Sequence, residues 1–79
     1  MSEVPLCSSN EIINALRRAG FKPARRAKGD HQVYVRERSD GRKDITLVHL
    51  GQREVARYTL RNIIQRAGMT VEEFCGYLK

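Results

Sequence analysis

The chain has 79 residues, fifteen Lys and Arg against nine Asp and Glu, and a net charge of +6. A single domain of this length buries only about 60% of its unfolded surface, which excludes a deep, enclosed active site. Eleven of the fifteen cations are arginine, the residue that forks onto phosphate and stacks on bases, so the expected partner is a polyanion rather than a membrane or a small neutral ligand.

Two cysteines at opposite ends, Cys7 and Cys75, form no CxxC or Cys-His spacing and suggest neither a zinc site, a redox dithiol nor a disulfide scaffold. No signal peptide and no apolar run long enough to span a bilayer is read in the sequence, so a cytoplasmic location is expected.

Residues 1–7 lack periodicity and are expected to form a tail, with Cys7 loosely held; residues 8–79 are expected to form the single domain. Ser8-Ser9-Asn10-Glu11 offers a capping-box start for a helix over about 9–19, whose stripe is Ile12, Ile13, Leu16 and Ala19. Gly20 ends it as a left-handed cap. The segment 21–27 contains Pro23, which cannot donate to a ladder, and therefore reads as an edge strand. Lys28-Gly29-Asp30 turns the chain.

Two runs, 31–38 and 43–49, flank Ser39-Asp40-Gly41-Arg42, and Asp-Gly between such runs signals a two-residue hairpin. That turn predicts Val33 opposite Val48 and Tyr34 opposite Leu47, with His31, Val33 and Val35 sharing a face with Thr46 and Val48. His49 then pairs with Gln32, which puts the two histidines on opposite faces unless a bulge intervenes. Thr59 is the expected cap of a helix with the stripe Leu60, Ile63, Ile64 and Ala67, closed by Gly68. Thr70 and Glu73 predict a second capping box, with Met69 stapled against Phe74, opening a last helix to Leu78. Phe21, Phe74 and Tyr77 fall in expected core positions, and Cys75 lies on the stripe Val71, Phe74, Leu78. The order α-β-β-β-α-α implies an α+β fold, a three-stranded antiparallel sheet with helices on one face.

Between positions 17 and 43, ten cations face three acids, and His31 lies inside that basic stretch. One imidazole among cations suffices in principle for RNA cleavage, because the ribose 2′-OH supplies the nucleophile and the protein supplies proton transfer and phosphate stabilisation. A lone histidine at a strand start is more often a hydrogen-bonded structural residue, and Asp30 reads first as a turn former and second as an orienter of the ring. No nucleotide-binding glycine loop, paired catalytic carboxylates, Ser-His-Asp order or metal-ligand cluster is found in the sequence, so no cofactor and no metal are expected.

The segments Leu16 through Phe21, Gly29-Asp30-His31-Gln32-Val33-Tyr34, Ile45-Thr46-Leu47-Val48-His49 and Thr59-Leu60-Arg61-Asn62-Ile63-Ile64-Gln65-Arg66-Ala67-Gly68, with Val71-Glu72-Glu73-Phe74 after them, together resemble the HicA family of toxin endoribonucleases over residues 9–78. The resemblance implies a double-stranded-RNA-binding-like fold, metal-independent cleavage of mRNA in a type II toxin–antitoxin system with a role in stress response, and neutralisation by a HicB-type antitoxin. It also carries the family's catalytic histidine onto His31, with Asp30 standing where the family has serine. No catalytic role is carried onto His49, because the family's preceding proline is absent and its second histidine stands about one position away. The expected phosphate ligands are Arg25, Arg26, Lys28 and Arg36. The competing expectation is a non-catalytic RNA-binding module, or an inactivated toxin homologue, in which His31 is structural.

Overall fold

Ser8 starts the first helix by a reciprocal pair of hydrogen bonds: its Oγ accepts from Glu11 N at 3.2 Å, and Glu11 Oε1 accepts from Ser8 N at 2.9 Å. Two of the four backbone donors that a helix start leaves open are thereby satisfied. In the computed structural model, which describes residues 4–78, the elements are α1 (Ser9–Arg18), β1 (Lys22–Arg26), β2 (His31–Glu37), β3 (Lys43–His49), α2 (Arg57–Arg66) and α3 (Val71–Tyr77). The strands form one antiparallel sheet in the order β1-β2-β3, so β1 with Pro23 is an edge, as expected. The α+β order and the sheet are those read from the sequence.

Both α1 and α2 end on a glycine in the left-handed region, Gly20 at φ 99° and Gly68 at φ 73°. In each, the next amide returns to the helix, Phe21 N to Leu16 O at 2.9 Å and Met69 N to Ile64 O at 3.2 Å, which closes the carbonyl end and sends Phe21 and Met69 into the core. The capping box of α3 is present, with Thr70 Oγ1 accepting from Glu73 N and Glu73 Oε1 from Thr70 N, and both Met69 and Phe74 are buried.

Three expectations are corrected. Val4 and Cys7 are 0% and 3% exposed, with Leu6 between them 50% exposed, so the segment read as a tail is anchored in the core through Val4 and Cys7; residues 1–3 of that segment lie outside the described residues. Val55 N donates to Cys7 O at 2.8 Å in an isolated antiparallel bridge, and burial pushes the Cys7 thiol up from its ordinary pKa, with Glu11 adding to the shift. That anchor also explains the second correction: α2 begins at Arg57 behind Ala56 with no side-chain cap, and Thr59 lies within its first turn, because buried Val55 rather than a capping hydroxyl sets where the helix starts.

The third correction is the hairpin between β2 and β3. Arg38 N donates to Arg42 O at 2.7 Å and Gly41 N to Arg38 O at 3.0 Å, enclosing the three residues 39–41 with Gly41 at φ 89°. This is a turn followed by a glycine bulge, not a two-residue loop. The register moves by one: Val33 pairs with Leu47, Tyr34 with Thr46 and His31 with His49. Since neighbouring positions along a strand alternate faces, Tyr34, Thr46 and Val48 now share the helix-covered side and are all buried. His31, Val33, Val35, Ile45, Leu47 and His49 share the other side, where Ile45 is 54% exposed.

On the covered side, Arg36 reaches from β2 into the gap between two helix ends. Its Nη1 donates to Ala19 O and its Nη2 to Ala67 O, each at 3.2 Å, so one guanidinium serves the carbonyl ends of α1 and α2, where the helix dipoles favour a cation. Its Nε and Nη2 also hold Asp44 Oδ2 at 3.3 and 2.9 Å, and it lies 4.7 Å over the Phe21 ring. Arg38 grips the same carboxylate, the shortest approach being 2.7 Å from Nη2 to Oδ1. Gly68 permits this crowding: a Cβ there would come within 2.8 Å of Asp44 Oδ1.

Candidate active site

Gly29, at φ 65°, turns the chain so that the Lys28 carbonyl faces the start of β2. That carbonyl accepts from His31 N at 3.4 Å and lies 3.0 Å from His31 Nδ1. A carbonyl oxygen only accepts, so Nδ1 carries a hydrogen and the neutral ring keeps its lone pair on Nε2. The carbonyl of Lys28, not the carboxylate of Asp30, therefore orients the imidazole. Asp30 contributes through its backbone, its O accepting from Leu50 N at 2.8 Å, a bond that extends the β2–β3 ladder past the histidines.

The shifted register brings His49 directly across from His31. Their rings stack with centroids 4.6 Å apart and planes at 20°, without the bulge in mid-strand that the two-residue turn would have demanded. His49 is secured at two points. Ser9 Oγ donates to His49 O at 2.6 Å while accepting from Gln52 N at 3.0 Å, and Gln52 Nε2 lies 3.2 Å from His49 Nδ1. Ser9 is 1% exposed and pins the loop after β3 to the first turn of α1. Ser9→Ala is expected to lower stability by about 1–2 kcal/mol, since two backbone groups lose a buried partner; a chemical denaturation curve with an unchanged midpoint would remove Ser9 from this role.

Both rings line a pocket of about 240 Å³ between β3 and α2, with Leu47, Thr59, Asn62 and Arg66 among the other walls. A larger hollow of about 420 Å³ lies elsewhere, and its walls, Gly20, Lys22, Pro23, Ala24, Val35 and Glu37, include no imidazole. The smaller pocket is the one that brings together a ring nitrogen with a free lone pair, a second imidazole and a guanidinium.

Among the expected phosphate ligands, Arg25 and Arg26 on β1 are exposed, as is the segment around Lys28 in the following turn, and Arg26 pairs in register with Gln32 beside His31. Arg36 does not join them. Its donors are occupied by Asp44 and two helix ends, and strand alternation puts it on the face opposite His31. Arg66, which pattern reading missed, enters the pocket from α2; its one sequence signal was its position after the Ile63, Ile64 stripe, on the flank of the helix facing away from the core.

No helix among the described residues is long and apolar enough to cross a membrane. No curated protein matches the chain. The pattern of the family described as the HicA toxin of bacterial toxin–antitoxin systems matches residues 9–69, a stretch that runs from the first residue of α1 through the glycine exit of α2 and includes His31, His49 and Arg66. With that span covering most of the chain and both of the pocket's histidines, this protein belongs to the HicA family of toxins of bacterial toxin–antitoxin systems.

Proposed function

We propose that this toxin is a metal-independent endoribonuclease acting on mRNA, with His31 as the catalytic base. The observation that supports it best is the hydrogen bond from His31 Nδ1 to Lys28 O at 3.0 Å, which keeps Nε2 as the acceptor on a half-buried ring at the sheet margin. Nε2 takes the proton of a ribose 2′-OH, and the 2′-oxygen attacks the adjacent phosphorus. The products are a 2′,3′-cyclic phosphate and a free 5′-hydroxyl. Arg25, Arg26 and Lys28 bind flanking phosphates through charge-assisted hydrogen bonds, and Arg66 stabilises the charge that grows on the reacting phosphate. A shallow site suits a single-stranded substrate threaded along the open sheet face.

Action on mRNA implies the cytoplasm. Neutralisation by a HicB-type antitoxin follows if an acidic surface of that partner covers the basic face and blocks access to His31, a steric mechanism in which charge complementarity sets partner choice.

Incubation of the purified chain with a long single-stranded RNA in EDTA, read on a denaturing gel, is expected to give fragments that end in a cyclic or opened phosphate at the 3′ terminus and begin with a 5′-hydroxyl. RNA bound but intact would support the non-catalytic binding module instead. For the phosphate ligands, replacing Arg25, Arg26 and Lys28 together by glutamine is expected to reduce the slope of log affinity against log salt by about 2, at about 0.7 for each single-strand phosphate that is no longer neutralised. A slope equal to that of the native chain would move the RNA path off β1.

A further inference from the structure

We infer that His49 is the second proton-transfer group of the site, the general acid that protonates the departing 5′-oxygen; this rests on the ribonuclease reading above. The two imidazoles stand face to face, 4.6 Å between centroids, and both line the same pocket, yet their Nδ1 partners differ in kind. His31 Nδ1 meets a backbone carbonyl, which accepts and nothing else, so the neutral ring keeps its lone pair on Nε2, where a base needs it. His49 Nδ1 meets the side-chain amide of Gln52 at 3.2 Å. An amide carries both a donor and an acceptor, and rotation about its terminal bond presents either one. Gln52 therefore holds His49 in either neutral tautomer, and in the imidazolium, where its carbonyl oxygen accepts from Nδ1–H. With the Gln52 carbonyl oxygen on Nδ1–H, the imidazolium carries its second hydrogen on Nε2, free to be given to a leaving group, and Nδ1–H stays held after that proton has gone.

His31 Nε2 removes the 2′-OH proton while the bond from the 2′-oxygen to phosphorus forms. The bond from phosphorus to the 5′-oxygen breaks, and the His49 imidazolium gives its Nε2 proton to that oxygen. His31 ends cationic and His49 neutral with its hydrogen on Nδ1, held by the Gln52 carbonyl; exchange with water through the open pocket restores both. Ser9, bonded to His49 O and to the Gln52 backbone through both its N–H and its Oγ, holds acid and partner as one unit.

The test uses two oligoribonucleotides that differ in one atom, an oxygen or a sulfur at the bridging 5′ position of a single cleavable linkage. Thiols ionise near pH 8.5, so a thiolate departs without a proton and a missing acid is not felt. His49→Ala, and His49→Gln as a variant that retains a polar planar group, are expected to cleave the oxygen substrate about 10²-fold or more slowly than the native chain. On the sulfur substrate they should approach the native rate, while His31→Ala is slow on both. Melting curves of each variant confirm that the fold is kept. Equal losses on both substrates would overturn the assignment and make His49 a support for the His31 ring, and native rates on the oxygen substrate would overturn it outright. Failure of the native chain on both substrates would instead strike the ribonuclease reading itself.

Discussion

Replacing His31 with alanine is expected to slow RNA cleavage by about 10²- to 10⁴-fold, the contribution of a positioned general base, while changing stability and RNA affinity little. The ring is half-buried at the end of the sheet, and its attachments are one hydrogen bond to Lys28 O and the stack on His49. Losing an exposed-side hydrogen bond of this kind costs about 1 kcal/mol, within reach of a domain that retains its core. The proposed phosphate ligands, Arg25, Arg26 and Lys28, are not touched by the substitution. The comparison requires rate and binding measured on the same preparation. A variant that binds like the native chain and cleaves at least about 10²-fold more slowly supports His31 as the base, and one that cleaves at the native rate removes it from the mechanism.

Asp44→Asn is expected to destabilise the fold by about 2 kcal/mol, the scale for hydrogen bonds to charged groups and less than the cost of breaking a fully buried ion pair, because the Arg38 side chain is 44% exposed. Since small domains are stable by only about 5–15 kcal/mol, that is a large share of the total. Asp44 is 7% exposed and its two oxygens accept from both Arg36 and Arg38. Without the carboxylate, two guanidinium groups are left facing each other beside Gly68 with only a neutral amide oxygen between them, and Arg36 is held less firmly at Ala19 O and Ala67 O. The damage therefore spreads to the carbonyl ends of both α1 and α2.

The same group has a signature in acid. Hydrogen bonds from Arg38, then from Arg36, hold the Asp44 carboxyl below its ordinary value against the opposing effect of burial. A carboxylate with a depressed folded pKa contributes stability that is complete above the unfolded value, about 3.9, and that is lost as pH falls through the folded value. Thermal melts from pH 7 downward should hold level in this respect to about pH 4 and then decline, and Asp44→Asn should remove part of that decline. A variant that melts within about 1 kcal/mol of the native chain, with the acid limb unchanged, would show that the cluster is ornamental to stability.

Arg36 illustrates why a basic stretch read in one dimension overstates a binding surface. In the sequence it is one of ten cations surrounding His31 and differs in no visible way from Arg25 or Arg26. What separates them is the parity of its strand position and the arrival of two helix ends above it. Arg25 and Arg26 sit on an edge strand exposed along its whole length, so the same residue type there remains open to a polyanion.

His49 shows the converse error. Its distance from the hairpin is plain in the sequence, but its partner depends on whether the loop holds two residues or three, and Ser39-Asp40-Gly41 is compatible with both. A change of one residue in loop length transfers an entire strand to the opposite face. The two-residue reading separated the histidines, whereas the observed three-residue loop stacks them.

What the sequence determined by itself is local: the capping boxes at Ser8 and Thr70, the glycine exits at Gly20 and Gly68, the edge strand marked by Pro23, the α-β-β-β-α-α order and the location of His31 at a strand start. Each rests on hydrogen bonds or dihedral preferences closed within about five residues, so the neighbours alone specify them. Tertiary structure decided the register, the start of α2, the burial of Val4 and Cys7, the inward turn of Arg36 and the pairing of His31 with His49. In each of these the competing local arrangements are close in energy, and the choice falls to whichever buries Tyr34, Thr46, Val48 and Val55 against the helices.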